Sequence, residues 1–266
     1  EMEESDWSSD VCSSDLASYL WYSVIIITMS FADKDPNFTL PANFYTDTDI
    51  FNEELQKIFY SKWVYVACEA DLPKIGDYIS LKLGARSFFL QRNEQGEIKG
   101  FYNVCRHRGH ELVTGDKGNC KRLVCPYHSW AYDLDGNLLS AYGMNPDFQK
   151  ENFGLNPIQV AVIGGLIYVC LSSSAPDDIE TVKNKLSPYL APYDLPKSKI
   201  ACQKDIIEAC NWKLVMENNR ECLHCMTNHP ELLIPLYSSG FGKGLDKDHA
   251  QPSDQKFQET LIEKEK

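Results

Sequence analysis

Cys105-Arg106-His107, then seventeen residues, then Cys125-Pro126-Tyr127-His128: the reading of this chain turns on that stretch. Each half offers one thiol and one imidazole. A mixed-ligand 2Fe–2S cluster needs this set, because Cys thiolates hold one iron and His imidazoles hold the other. Exchanging two anionic thiolates for neutral imidazoles makes such a cluster easier to reduce, with potentials of roughly −150 to +300 mV. The competing reading is a structural Cys2His2 zinc site. Zinc sites of that composition usually pair Cys with Cys and His with His, so C-x-H is an awkward half. The spacing favours iron and sulfur.

A second constellation lies further on, in Glu221-Cys222-Leu223-His224-Cys225-Met226-Thr227-Asn228-His229. On a helix, Glu221 and His224 share a face at i, i+3. His229 falls about 140° around an ideal helix from His224, so the helix must end or bend between them. Two histidines and a carboxylate from elsewhere make the facial triad of non-heme Fe(II) oxygenases, which leaves positions open for oxygen. Taken alone, an H-x4-H pair is as readily explained by core or surface histidines.

Taken together, the two motifs carry a resemblance. Cys105–His107, Cys125–His128 with the following Ser129-Trp130-Ala131-Tyr132-Asp133-Leu134-Asp135-Gly136, and Asn211-Trp212-Lys213 leading into Glu221, His224 and His229 look like the Rieske non-heme iron oxygenases, in their large (alpha) oxygenase subunit. The likeness runs from about Thr46 to about Leu232. Within the family the run Met216-Glu217-Asn218-Asn219-Arg220-Glu221-Cys222 resembles the oxygenases of quaternary ammonium compounds, the glycine betaine monooxygenase type in particular. Those carry Glu at the place of Glu221, where aromatic-ring dioxygenases carry Asp.

The resemblance implies an α+β fold: an antiparallel β Rieske domain, then the N-terminal part of a truncated α+β catalytic domain. It implies a 2Fe–2S cluster on Cys105, His107, Cys125 and His128, and a mononuclear Fe(II) on His224 and His229. The third iron ligand of the family is a carboxylate well downstream, and none of Glu231, Asp246, Asp248, Asp254, Glu259 or Glu263 is assigned to that place. Without it this chain alone is expected to be inactive. Metal-bound imidazoles typically give their second N–H to a carboxylate, so Glu221 is the expected bridge between His128 and His224, an electron-transfer role. By resemblance that bridge crosses a subunit boundary in a head-to-tail homotrimer, and a closed ring suits such a contact. No nicotinamide motif is visible, so electrons are expected from a separate NAD(P)H-dependent reductase, with O2 and a quaternary ammonium compound such as a betaine as substrates. Quaternary ammonium groups favour aromatic cages. Two rivals stay open. One is an aromatic-ring hydroxylating dioxygenase with the same metals. The other is non-enzymatic, a Rieske electron carrier or a zinc module built on Cys222-x-x-Cys225.

Composition sets the outer bounds. The 266 residues suffice for one large domain or two small ones, and 43% hydrophobic content is that of an ordinary globular protein. A net charge of −12 lacks the basic face of a nucleic-acid binder. The ten cysteines show no small secreted disulfide framework, so a reducing, cytoplasmic setting is expected. Residues 7–16, Trp7-Ser8-Ser9-Asp10-Val11-Cys12-Ser13-Ser14-Asp15-Leu16, read back as a common sequencing adapter, which makes Met29 a natural start. Residues 1–28 are expected to be non-native or disordered. Leu16 to Met29 is shorter than the roughly 20 apolar residues that span a bilayer, so no membrane association is expected.

Along the chain, Thr46-Asp47-Thr48-Asp49 offers N-caps to a helix reaching about Trp63. Residues 29–63 are expected to form an N-terminal helical segment packing on the catalytic domain. By the resemblance residues 64–175 are expected to form the Rieske domain, with strand-like runs at Val64–Ala67, Tyr78–Leu81, Ser87–Gln91, Gly100–Val104 and Gly165–Leu171. Asn93–Gly96 and Asp133–Gly136 are expected hairpin turns. Residues 176–266 are expected to form the partial mononuclear-iron domain. It should open with a helix from Ile179 to about Leu186 and a proline-rich link through Pro188, Pro192 and Pro196. A strand over Ile200–Ala209 and a helix over Asn211–Cys225 follow, the helix with Trp212, Val215 and Met216 inward. Cys68, Cys120 and Cys170 read as plain thiols rather than ligands.

Overall fold

Arg86–Arg92 is the strand around which the observed architecture is organised. Its central residues Phe88, Phe89, Leu90 and Gln91 are all buried, so both of its faces are covered. Strand side chains alternate between faces. Phe89 enters one core with Phe101, Leu112, Leu123, Trp130, Tyr132 and both motif cysteines. Phe88 and Leu90 enter another with Leu72, Ile79, Ile167 and Val169. One β-strand thus divides the apolar interior in two, and the first half is the seat of the cysteines.

The computed structural model describes residues 39–145 and 147–221. They fall in two compact units, Asp47–Ile207 and one whose described parts are 39–46 and 208–221. The larger unit begins with helix α2 (Thr48–Glu54), following the short α1 (Asn43–Thr46) of the other unit. Asp47 caps α2, its carboxylate accepting from the N–H groups of Asp49 and Ile50. The helix then widens into a π-type turn at Leu55–Phe59 and stops there, short of Trp63.

Ten strands follow among the described residues: β1 (Val64–Cys68), β2 (Asp77–Leu83), β3 (Arg86–Arg92), β4 (Ile98–Tyr102), β5 (Lys117–Asn119), β6 (Leu123–Val124), β7 (Ala131–Tyr132), β8 (Leu138–Ser140), β9 (Gln159–Ile163) and β10 (Leu166–Cys170). They form three antiparallel sheets, ordered β1-β10-β9, β4-β3-β2-β5 and β6-β7-β8. The mixed α/β content with antiparallel sheets is the one expected from the sequence.

The two expected hairpin turns share one design. Asn93 Oδ1 accepts from the N–H groups of Gln95 and Glu97, and Asp133 Oδ1 from those of Asp135 and Asn137. Asn93 Nδ2 donates to Asp135 Oδ1 at 2.8 Å and ties the turns together. Gly136, at φ 81°, could not be replaced even by Ala, whose Cβ would run into the Phe101 ring.

Helix α3 (Ile179–Leu190) runs one turn beyond the expected Leu186 and takes Pro188 inside it, while Pro192 and Pro196 open two 3₁₀ turns. The strand expected over Ile200–Ala209 is not formed. Residues 200–209 are irregular, and Ile206 and Ile207 are exposed. Their β-branched side chains have propensity for a strand but no partner strand among the described residues.

In the smaller unit, Asn211 Oδ1 accepts from Lys213 N–H and starts helix α4 (Trp212–Glu221). Tyr45 Oη donates to Glu217 Oε1 at 2.8 Å, and Asn211 Nδ2 to the Tyr45 carbonyl at 3.2 Å. Of the residues expected inward, Val215 is exposed, whereas Lys213 is buried with its Nζ 5.2 Å from the Trp212 ring centroid. A lysine can cover apolar surface with its stem while its head meets aromatic faces, which a binary hydrophobic pattern does not register. No helix among the described residues is long and apolar enough to cross a membrane.

Candidate metal centre

The two halves of the opening motif occupy two loops with the same backbone pattern. The first connects β4 to β5, the second connects β6 to β7. In the first, Cys105 N–H donates to the His110 carbonyl at 2.8 Å and Gly109 N–H to the Cys105 carbonyl at 3.0 Å. In the second, Cys125 N–H donates to the Trp130 carbonyl at 2.8 Å and Ser129 N–H to the Cys125 carbonyl at 3.0 Å. The fourth residue after each cysteine is left-handed, with Gly109 at φ 73° and Ser129 at φ 59°. Each loop therefore curls back on its own cysteine in the same way.

The loops are anchored differently. The second is closed by a short ladder, Leu123 opposite Tyr132 and Val124 opposite Ala131. The first has no such ladder. Asn103, buried just before Cys105, stands in for one: its Oδ1 accepts from Leu112 and Val113 N–H at 3.0 Å each, and its Nδ2 donates to the Val113 carbonyl at 2.7 Å. Sequence reasoning missed Asn103, which carries no motif signal beyond its place two residues before a cysteine.

The side chains of the motif meet in two pairs, thiol with thiol and imidazole with imidazole. Cys105 and Cys125 are both buried, while the rings of His107 and His128 stand edge to face with centroids 4.6 Å apart. The rings are half-buried, yet Nδ1 of each is shut away from solvent without a hydrogen-bond partner. A buried polar atom left unpaired is costly, and native structures rarely leave one without a reason. Two inward-facing imidazole nitrogens beside two buried thiols fit the donor set of a mixed 2Fe–2S cluster. Among the described residues no three His, Cys, Asp or Glu side chains converge as a site for a single metal ion.

The electrostatics suit ligation by His128 and oppose it in the free Cys105 thiol. Burial pushes the His128 imidazole below its ordinary pKa, and His107, Arg108 and His110 push the same way, so the neutral, lone-pair form prevails. Burial holds the Cys105 thiol above its ordinary range, the Cys125 thiol adding to that, against the Tyr132 hydroxyl and the His107 backbone. Binding to iron must therefore release thiol protons.

Aromatic side chains frame the centre. Trp130 stacks on His107, with centroids 4.8 Å apart and planes 9° from parallel, and its far side meets Phe148 and Phe153 edge-on. Tyr127 covers His128 at 3.8 Å between centroids and is itself exposed. Tyr132 Oη lies 3.4 Å from Cys105 Sγ and accepts from Arg106 N–H at 3.1 Å. Burial pushes the Tyr132 phenol far above its ordinary pKa, so it keeps its proton. Of the flanking residues, His110 Nδ1 lies 2.6 Å from the Glu111 carbonyl. Cys170 is buried and Cys68 and Cys120 half-buried.

Glu221 is the last described residue, in helical backbone at the end of α4. His224 and His229 lie outside the described residues, as does the pair Cys222 and Cys225.

Comparison with known proteins identifies the family. The Rieske [2Fe-2S] domain matches residues 62–156, and the ring hydroxylating alpha subunit (catalytic domain) matches residues 193–260. The chain is 43% identical to the glycine betaine monooxygenase oxygenase subunit of Pseudomonas aeruginosa, over 76% of this chain and 47% of that protein. It is 34% identical to the biphenyl 2,3-dioxygenase subunit alpha of Rhodococcus jostii, over 67% and 40%. The structure of the quaternary ammonium Rieske monooxygenase CntA with its substrate gamma-butyrobetaine superposes with a TM-score of 0.65 at 31% identity, covering 72% of this chain and 56% of that one. The chain spans about half the length of the curated relatives it matches. With its 2Fe–2S domain joined to part of the catalytic domain that carries mononuclear iron, the chain belongs to the Rieske oxygenase family.

Proposed function

We propose that the protein carrying this chain is the oxygenase component of a two-part monooxygenase that removes a methyl group from a quaternary ammonium compound such as a betaine. The observation that carries the proposal is the pair of buried, unpartnered Nδ1 atoms of His107 and His128 beside two buried thiols. The choice of substrate rests on the 43% identity to glycine betaine monooxygenase subunits.

Cys105 and Cys125 supply two thiolates and His107 and His128 two imidazole nitrogens, while the surrounding core keeps water from the sulfurs. When bound, the cluster supplies single electrons, and the mononuclear iron supplies the open coordination sites at which oxygen is used. His224 and His229, within the stretch that matches the catalytic domain, hold that iron in this reading. Glu221 accepts N–H bonds from His224 and from the cluster histidine His128 of a neighbouring subunit in a trimer, and keeps both rings in register. A separate NAD(P)H-dependent reductase delivers the electrons.

The overall change balances. One methyl C–H becomes C–OH with one oxygen atom of O2, and the other atom leaves as water with two electrons and two protons. The N–CH2OH group then breaks its C–N bond, releasing formaldehyde, a tertiary amine and a proton.

The test is to supply the protein with a reductase, NADH, O2 and glycine betaine, and to follow formaldehyde. One formaldehyde per O2 consumed is expected. Consumption of biphenyl with both oxygen atoms retained, and no formaldehyde from the betaine, would favour the aromatic dioxygenase reading. Electron uptake by the cluster with neither product would reduce the protein to an electron carrier.

A further inference from the structure

We propose that Tyr45 is a positioning residue for Glu221, holding helix α4 in the register that electron transfer needs, an inference that rests on the bridge reading of Glu221 given above. The segment 39–46 is tied to α4 at two places. At the start of the helix Asn211 works in both directions: its Oδ1 accepts from Lys213 N–H at 3.1 Å, and its Nδ2 donates to the Tyr45 carbonyl at 3.2 Å. Further along, Tyr45 Oη donates to Glu217 Oε1 at 2.8 Å. The buried Lys213 sets its ammonium 5.8 Å from the Tyr45 ring centroid and 5.2 Å from that of Trp212. Burial and the Glu217 carboxylate push the Tyr45 phenol above its ordinary pKa, against a backbone bond from Leu40, so the hydroxyl keeps the proton it donates.

The bond matters because of where Glu217 stands. It lies four residues before Glu221 on α4, and residues four apart share a helix face. Like charges at that spacing repel. The Tyr45 hydroxyl draws the Glu217 carboxylate toward the segment 39–46, which leaves the bridging task to Glu221 alone. A helix of 10 residues is too short to hold itself in water, so its ties to the rest of the unit decide where it lies. Asn211 fixes its start, and Tyr45 supplies the tie nearer to Glu221. A carboxylate that must reach two imidazoles tolerates little rotation of the helix beneath it. Tyr45 has no contact with metal or substrate in this scheme and acts through α4.

The experiment uses the full-length protein that carries this chain, loaded with its metals, reduced at the cluster and mixed rapidly with O2 and glycine betaine. Tyr45→Phe keeps the ring and removes the donor. Its cluster is expected to be reoxidised about tenfold more slowly, since a small misplacement set up far from the chemistry is enough for such a loss. The midpoint potential of the cluster is expected to stay where it was. In the Glu221→Gln background Tyr45→Phe is expected to add nothing, because the bridge that it positions is already gone. Amide hydrogen exchange of the loaded protein is the second readout: protection across α4 falls in Tyr45→Phe, while the loops of Cys105 and Cys125 keep theirs. Reoxidation at the full rate, exchange across α4 left unchanged, or a slowing that adds in full to that of Glu221→Gln overturns the inference. Where Tyr45→Phe does not fold, Glu217→Leu removes the same bond from an exposed position and is read against the same outcomes. Undiminished reoxidation in Glu221→Gln itself overturns the bridge reading and this inference with it.

Discussion

The two ligand loops are copies in backbone and strangers in support. Each closes a bond from the fifth residue back to its cysteine N–H, and each turns left-handed at the fourth. Yet the second loop is held by a ladder between β6 and β7, and the first by the side chain of Asn103. Equal geometry is thus reached by unequal means. A ladder spreads the anchoring over several main-chain bonds, whereas the first loop depends on one amide. The loops should answer to mutation very differently outside the ligands themselves and alike within them.

The largest expected effect treats them alike. Cys105→Ser and Cys125→Ser should each abolish loading, seen as loss of essentially all cluster iron and of its visible absorbance. If one of the two still assembled a full cluster, the equivalence of the loops would be broken. Next comes Trp130→Ala, which removes the ring stacked on His107 and packed on Phe148 and Phe153. A loss of about 4 kcal/mol is expected in denaturant unfolding, as for other large buried aromatics. Asn103→Ala follows at about 3 kcal/mol, because the N–H groups of Leu112 and Val113 and a carbonyl are left buried and unpaired. A cost under about 1 kcal/mol there would mean that the first loop has a second anchor.

The smallest effects concern the two left-handed positions and should differ in sign. Gly109→Ala meets no neighbouring atom, so only the backbone resists, at about 1–2 kcal/mol of stability. Ser129 already bears that strain. Ser129→Gly relieves it but adds freedom to the unfolded chain, for a net gain of about 0.5 kcal/mol. Thermal unfolding of both variants checks the pair.

The reach of the sequence can be judged at these same residues. Cys105, His107, Cys125 and His128 were legible as a candidate site because the ligand set of a mixed cluster constrains residue type and spacing directly. The strands were legible because apolar runs between turn residues leave little choice, and β3 sits where Ser87–Gln91 placed it. Asn103 and Tyr132 were not legible as anchors: each acts on residues brought near only by folding, and an Asn or Tyr has many other uses. The irregular course of 200–209 shows the converse, since a strand needs a partner that no local pattern supplies. The π-type turn at Leu55–Phe59 likewise ends a helix whose apolar spacing would carry it on.

The pairing of β1 with β10 has a consequence for how this protein is joined to the rest of its chain. Val64 lies opposite Val169 and Cys68 opposite Leu166, so the first and last strands of the β region are hydrogen-bonded neighbours. The polypeptide arrives and departs at a single edge. Such a region needs no spacer to bridge its ends, and a host chain can accept it much as it accepts a long loop. A region with both attachment points side by side can be exchanged for a relative by splicing at two adjacent places.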